Sequence, residues 1–169
     1  NYINQKLAAL PTIADGVQPL TIEYVRSLAE DYTYDYFIQG PKGIAEFIGS
    51  FVRVSDKDDK DAPLHRSYAC TDTSRHKFHQ LGITGWKLDM GATFLNEIFK
   101  EIKDKANEYH IALIDQCLDE TDDLQKQIID TNRVNIIAPM MVGINTTKGR
   151  KRDRLLADVR FHLRPFVSI

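Results

Sequence analysis

The stretch TFLNEIFKEIKDKANEYHIALIDQC, residues 93–117, decides much of the fold. Its apolar side chains recur at steps of three and four residues, which places them on one face of an α-helix. That stripe predicts one long helix that begins near Ala92, is capped by Thr93 and covers about seven turns. Cys117 then lies in the core as a small apolar residue. The stripe consists of Leu95, Ile98, Phe99, Ile102, Ala106, Tyr109, Leu113 and Cys117.

The residues before this helix have the character of β-strands. Residues 64–70 are extended in character, and residues 77–81 alternate between polar and apolar positions. Gly82 and Gly85 allow a turn before residues 86–89. We therefore predict two or three short antiparallel strands over residues 64–89.

Helices are predicted on both sides of this hairpin. Capping at Thr21, and at Thr33 or Asp35, starts two short helices, and a third covers residues 43–52. The tyrosines bunched between residues 32 and 36 belong to the core or to a groove wall, and packing in the core is the favoured interpretation.

The C-terminal part is also helical. Residues 121–123 can cap a helix in which Leu124 and Ile128 face inward. An apolar segment from Ile136 is interrupted by Pro139, and a last helix covers residues 147–162. The predicted fold class is α+β, a mostly helical domain packed on a small antiparallel β-hairpin. One domain covers residues 1–169, with helical parts at 21–53 and 92–164 around the hairpin at 64–89.

Composition narrows the class of protein. The chain has 169 residues, and 22 basic and 24 acidic side chains give a net charge of −2, so global charge gives no case for nucleic acid or a membrane. No apolar run is long enough to span a bilayer. Two cysteines make no disulfide framework, which favours a reducing, intracellular compartment. Because the chain begins at Asn1, we expect a piece of a longer protein.

The densest group of reactive side chains lies in the predicted hairpin. Four potential zinc ligands occur there: His65, Cys70, His76 and His79. His76 and His79 would point to opposite faces of one strand, and no Cys-x2-Cys pair is present, so a metal site is the weaker interpretation. No cofactor is expected.

The segment around Cys70 has a structural and an enzymatic interpretation. Asp72 and Ser74 can bond local amides and fix a tight turn, and Arg75 can pair with Asp72 or Asp89. The enzymatic alternative is a nucleophilic thiolate on Cys70 beside a histidine, but no Gly-rich oxyanion turn follows it. We expect Cys70, Asp72, Ser74 and Arg75 to be structural, and the protein not to be an enzyme.

A local cluster of positive charge offers the better binding site. Its five cations are Lys148, Arg150, Lys151, Arg152 and Arg154. At a helix start they oppose the helix dipole, and that mild penalty indicates a use such as contacts to phosphate or to an acidic partner. The structural alternative is a solvent-exposed helix face whose positive charge is balanced by nearby acidic residues. A second functional class is a structural or protein-interaction domain that self-associates through the tyrosine-rich helices.

Residues 20–89 resemble an uncharacterised C-terminal domain of proteins from large DNA viruses and related mobile elements. The resemblance lies in residues 19–23, 40–47 and 70–78, the last with the pattern Cys-x-Asp-x-Ser-Arg at Cys70, Asp72, Ser74 and Arg75. After Phe78 the chain departs from that family, which tends towards a Lys-Asp-Gly turn. The family's domain tends to follow a coiled coil, sometimes with a zinc finger upstream. The resemblance therefore implies a C-terminal accessory module near nucleic acid, in the cytoplasm or nucleus of a host cell or in a virion.

Overall fold

A computed structural model describes residues 17–54, 65–72, 75, 77–89, 92–119 and 123–168, without the side chains of Val54 and His65. The described chain is mostly helical, with a small three-stranded antiparallel sheet, so the predicted α+β class is confirmed. No helix in these ranges is both long enough and apolar enough to cross a membrane.

Within residues 17–54, three α-helices precede the sheet. Thr21 caps the first, as predicted, because its Oγ1 accepts the backbone N–H of Tyr24 at 3.1 Å. The third begins at Pro41, two residues earlier than predicted, because proline is well suited to the first turn of a helix. The helices are α1 (Ile22–Leu28), followed by a 3-10 turn (Ala29–Asp31), α2 (Tyr34–Phe37) and α3 (Pro41–Val52).

The strands form two antiparallel units. The short strands β1 (Arg53–Val54) and β2 (His65–Arg66) pair with each other. The main sheet has the order β3-β4-β5, with β3 (Tyr68–Asp72), β4 (Lys77–Gly82) and β5 (Gly85–Asp89). The antiparallel sheet predicted over residues 64–89 is confirmed with three strands, and a register irregularity lies between Cys70 and Asp72. The extended stretch before Cys70 is divided between β2, which pairs with β1, and β3.

Three long helices follow, with bounds that differ from the prediction at several ends. They are α4 (Thr93–Asp119), α5 (Leu124–Asn145) and α6 (Arg150–Val167). Pro139 does not interrupt α5, which is continuous over 22 residues, and α6 begins and ends later than predicted. Asp123 caps α5 through the N–H of Lys126.

Asp89, rather than Thr93, caps the start of α4. Its carboxylate accepts the backbone N–H groups of Thr93 and Phe94 at 3.0 and 3.3 Å. The hydroxyl of Tyr68 donates to the same carboxylate at 2.7 Å, and both Tyr68 and Asp89 are buried. The end of β5 is therefore tied directly to the long helix, since a negative charge is favourable at a helix N-terminus.

The core lies between α3, α4, α5, α6 and one face of the sheet. Tyr32 is fully buried and packs against Tyr36, Phe47 and Tyr109, which places the tyrosine-rich segment in the core as predicted. Cys117 is partly buried and packs against the same core.

The prediction that Leu124 and Ile128 face inward is wrong. Leu124 is 70% exposed and Ile128 is 53% exposed, and Leu118, near the end of α4, is 73% exposed. Beyond Ala106, α4 buries only Leu113 completely. Among the described residues, the outer half of the α4–α5 pair therefore has little besides its own two helices to pack against. Periodicity identifies an apolar face but not whether another element covers it.

Candidate functional site

A basic groove lies where the start of α6 meets α5 and the start of α3. Arg150, Lys151 and Arg154, three of the five predicted cations, line this cavity of about 820 Å³. Lys42 joins them from α3, so four cations border one groove. Arg150, Lys151 and Arg154 are exposed, and exposed cations around a cavity concentrate positive potential there.

The floor of the basic groove is apolar, formed by Ile136, Pro139, Met140 and Leu155. One acidic side chain, Asp158, also lines it, with its Oδ2 3.8 Å from the Nε of Arg154. That pair is solvent-exposed and therefore worth little energy. The groove thus keeps a net positive border over an apolar base.

Arg152, one of the five predicted binding cations, is buried and does not line the basic groove, which corrects the sequence prediction at this position. Its side chain is only 7% exposed. Its Nη1 donates to the backbone carbonyls of Gly143 and Ile144 at 3.0 and 3.3 Å, and its Nε donates to Asn96 Oδ1 at 3.0 Å. Its guanidinium carbon also lies 4.6 Å from the centre of the Phe99 ring. Burial lowers the pKa of Arg152, although an arginine stays charged at ordinary pH.

Two glycines shape the junction between α5 and α6. A Cβ at Gly143 would lie 2.9 Å from the Cβ of Leu155 and 3.0 Å from the carbonyl oxygen of Lys151, so the two helices approach closely there. Gly149 has a φ of 116° at the N-cap of α6, a conformation that favours glycine. Lys148 is exposed in this connection but does not line the basic groove.

Sequence reasoning missed the groove residues outside the basic run. Lys42 and Ile136 come from segments far from residues 148–154, and no spacing in the sequence connects them. Asp158 and His162, in contrast, follow Arg150 and Arg154 at steps of four, which places all four on one side of α6. That periodicity is the one signal that pointed to part of the groove.

Of the predicted metal or catalytic residues, the sheet separates the two whose side chains are described, Cys70 and His79. Cys70 pairs with Phe78 and Ala69 pairs with His79, so Cys70 and His79 point to opposite faces. Cys70 lies in the core, and within the described ranges no group of three His, Cys, Asp or Glu side chains could hold a metal ion. The His65 side chain and His76 lie outside the described residues.

Asp72 and Arg75 form the predicted turn contact. The Asp72 carboxylate accepts the backbone N–H of Arg75 at 3.2 Å, and the Arg75 Nε lies 3.7 Å from the same carboxylate. Ser74 lies outside the described residues. The described part of this segment therefore has a structural role on β3 and in the turn that follows.

His79 is buried on the face of the sheet away from Cys70. Its Nδ1 lies 3.4 Å from the hydroxyl of Thr71. Burial lowers the pKa of His79, because the charged imidazolium loses hydration, and the nearby Lys77 lowers it further. This histidine has the surroundings of a neutral, hydrogen-bonded core residue.

Comparison with known protein families, with curated proteins and with solved structures finds no match.

We predict that Arg152→Gln lowers the free energy of unfolding by about 2–4 kcal/mol, because it removes charged hydrogen bonds to buried carbonyls. Arg150→Gln removes the same charge from an exposed position two residues away and should cost less than about 0.5 kcal/mol. Urea denaturation of both variants measures this difference. Equal stability of the two variants would contradict the structural role of Arg152.

We predict that His79 makes the protein less stable as the pH falls below about 6.5. The unfolded chain protonates this histidine more readily than the folded one, so folding loses free energy between the unfolded pKa and the lower folded pKa. His79→Gln should flatten that part of the profile. Urea denaturation at neutral pH and at about pH 5 compares the two, and parallel profiles would show that His79 does not contribute.

Proposed function

We propose that this chain is a non-enzymatic accessory module that binds nucleic acid in the basic groove. The observation that carries the proposal is the convergence of Arg150, Lys151 and Arg154 on α6 with Lys42 on α3 around one cavity. Cations that converge on one cavity from two separate helices are explained better by a ligand with a series of negative charges than by a helix face that is only solvated. The resemblance to domains of large DNA virus proteins agrees with a place near nucleic acid inside an infected cell.

The start of α6 favours phosphate as the anion. Gly149 occupies the N-cap and has no side chain that could accept the first-turn N–H groups. Such amides, with the positive end of the helix dipole and two adjacent cations at Arg150 and Lys151, suit a phosphate group. Arginine also binds phosphate through two parallel hydrogen bonds, which adds geometric specificity.

We expect the triple variant Arg150→Gln, Lys151→Gln, Arg154→Gln to bind a short oligonucleotide at least about tenfold more weakly at low salt. Three fewer phosphate contacts should also reduce the slope of log affinity against log salt by about 2 for a single strand. Fluorescence anisotropy with a labelled oligonucleotide, at several salt concentrations, measures both quantities.

The matched control neutralises three exposed cations that do not line the groove: Arg53, Lys100 and Lys103. It changes the net charge equally, so it separates a local site from a general charge effect. Equal loss in both triple variants, or undetectable binding by the unmodified protein, would refute the proposal. Displacement of the oligonucleotide by polyglutamate at equal charge would indicate an acidic protein partner instead.

A second candidate function is self-association through the outer end of the α4–α5 pair. The observation in its favour is the exposure of Ile111, Leu118, Leu124 and Ile128 there, at 62, 73, 70 and 53%. A second copy offers the same apolar surface, and two helix pairs side by side can cover it as a four-helix arrangement. The tyrosine-rich helices do not provide this surface, since Tyr32 is buried and Tyr36 packs against the core.

For this second candidate, light scattering should show a dimer that the double variant Leu118→Glu, Leu124→Glu converts to a monomer, because charge at the contact opposes burial. Ile83→Glu alters a similarly exposed side chain on the β4–β5 turn and should leave the dimer intact. A protein that is monomeric over the whole accessible concentration range would exclude self-association.

A further inference from the structure

A second cavity continues the basic groove along α6 and has an aromatic character. It has a volume of about 440 Å³ and is lined by Phe161, Phe166 and Arg164 on α6 with Lys42 and Glu46 on α3. Lys42 and His162 line both cavities. The two cavities are therefore adjacent parts of one surface.

Phe161 is the most exposed aromatic side chain of this surface. It is 63% exposed, whereas the Phe166 ring packs over Gly49 on α3, where a Cβ would lie 2.7 Å from it. The guanidinium carbon of Arg164 lies 5.9 Å from the centre of the Phe161 ring, and the His162 ring meets it edge-on at 5.2 Å. Even with Arg164 over the ring and His162 edge-on to it, Phe161 keeps 63% of its surface exposed to solvent.

The spacing along α6 suits an extended strand. From Arg150 to Phe161 the helix axis rises about 17 Å, enough for several nucleotides of backbone. Arg150, Lys151 and Arg154 would lie along the sugar–phosphate chain, and Phe161 would lie at its end. Positive side chains that follow a backbone, together with aromatic side chains that stack on bases, are the features by which proteins hold single strands.

Building on the proposed function, we propose that the ligand is single-stranded nucleic acid, with one base stacked on Phe161. A phenyl ring can stack only on a base whose face is open, and in a duplex each face is covered by the next base pair. A duplex would have to unstack a base at a cost of a few kcal/mol before it used this ring. The cations alone would bind both forms, so Phe161 is the group that discriminates between them.

The test compares a labelled single strand of roughly 12 nucleotides with a duplex of the same sequence whose two ends are closed by non-nucleotide linkers, at about 50 mM salt. The linkers keep the end pairs from offering an open base face. We expect the single strand to bind at least tenfold more tightly, and Phe161→Ala to weaken it about 5- to 150-fold while the duplex changes little. The salt slope should stay the same in Phe161→Ala, because no phosphate contact is lost. Phe161→Trp keeps an aromatic face and should retain the affinity for the single strand.

Ile83→Ala serves as the control, since it removes another exposed apolar side chain away from both parts of the surface. Equal affinity for single strand and duplex, with no effect of Phe161→Ala, would overturn this inference. If the triple variant still weakens both ligands in that case, the proposed function stands without it. Failure of the unmodified protein to bind either ligand would refute both. The circular dichroism spectrum of Phe161→Ala should match that of the unmodified protein. A changed spectrum would count against stacking if Phe161→Trp and Phe161→Ala both kept the same preference for the single strand over the duplex.

Discussion

The buried guanidinium of Arg152 is the constraint on which the basic groove depends. It joins three helices at one point, because it extends from α6, donates to the last carbonyls of α5 and lies over Phe99 on α4. A buried cation is costly unless it is compensated. Here the compensation comes from the negative end of the α5 dipole, from the Asn96 side chain and from the Phe99 ring. The start of α6 is thereby fixed beside α5, and the groove exists because of that junction.

The same residue shows how much of the site could be predicted from the sequence. Arg152 lies three, four, seven and eleven residues before Leu155, Leu156, Val159 and Leu163, the buried stripe of α6. The helical period therefore places it on the inner face of α6. The composition of the basic run alone does not distinguish it from the other cations. The groove itself could not be predicted in full. Lys42 reaches it through the packing of α3 on α6, which depends on Gly49 and Phe166 and leaves no local pattern.

In the sheet, the strands could be predicted but the partners across them could not. Alternation along β4 indicates which of its side chains share a face, but the relation between Cys70 and His79 depends on the register between two strands. That register places Cys70 opposite Phe78 and includes an irregularity before Asp72, at the turn that Arg75 closes. Reactive residues close together in sequence were thus separated by the sheet. Hydrophobic periodicity had a similar limit at Leu124, where an apolar face has no covering element among the described residues.

The two ends of α6 are fixed independently, and this bears on how a ligand can be held. Arg152 fixes the first turn, while the last turn packs through Phe166 on Gly49 and continues into a bridge between Ser168 and Cys70 on β3. The helix that presents Arg150, Arg154 and Phe161 would therefore need no rearrangement of its backbone to bind the proposed ligand. The entropic cost of binding falls mainly on the long cationic side chains, since a phenylalanine has few rotamers to lose. On a fixed helix, an aromatic side chain contributes affinity at little ordering cost and the flexible cations contribute charge.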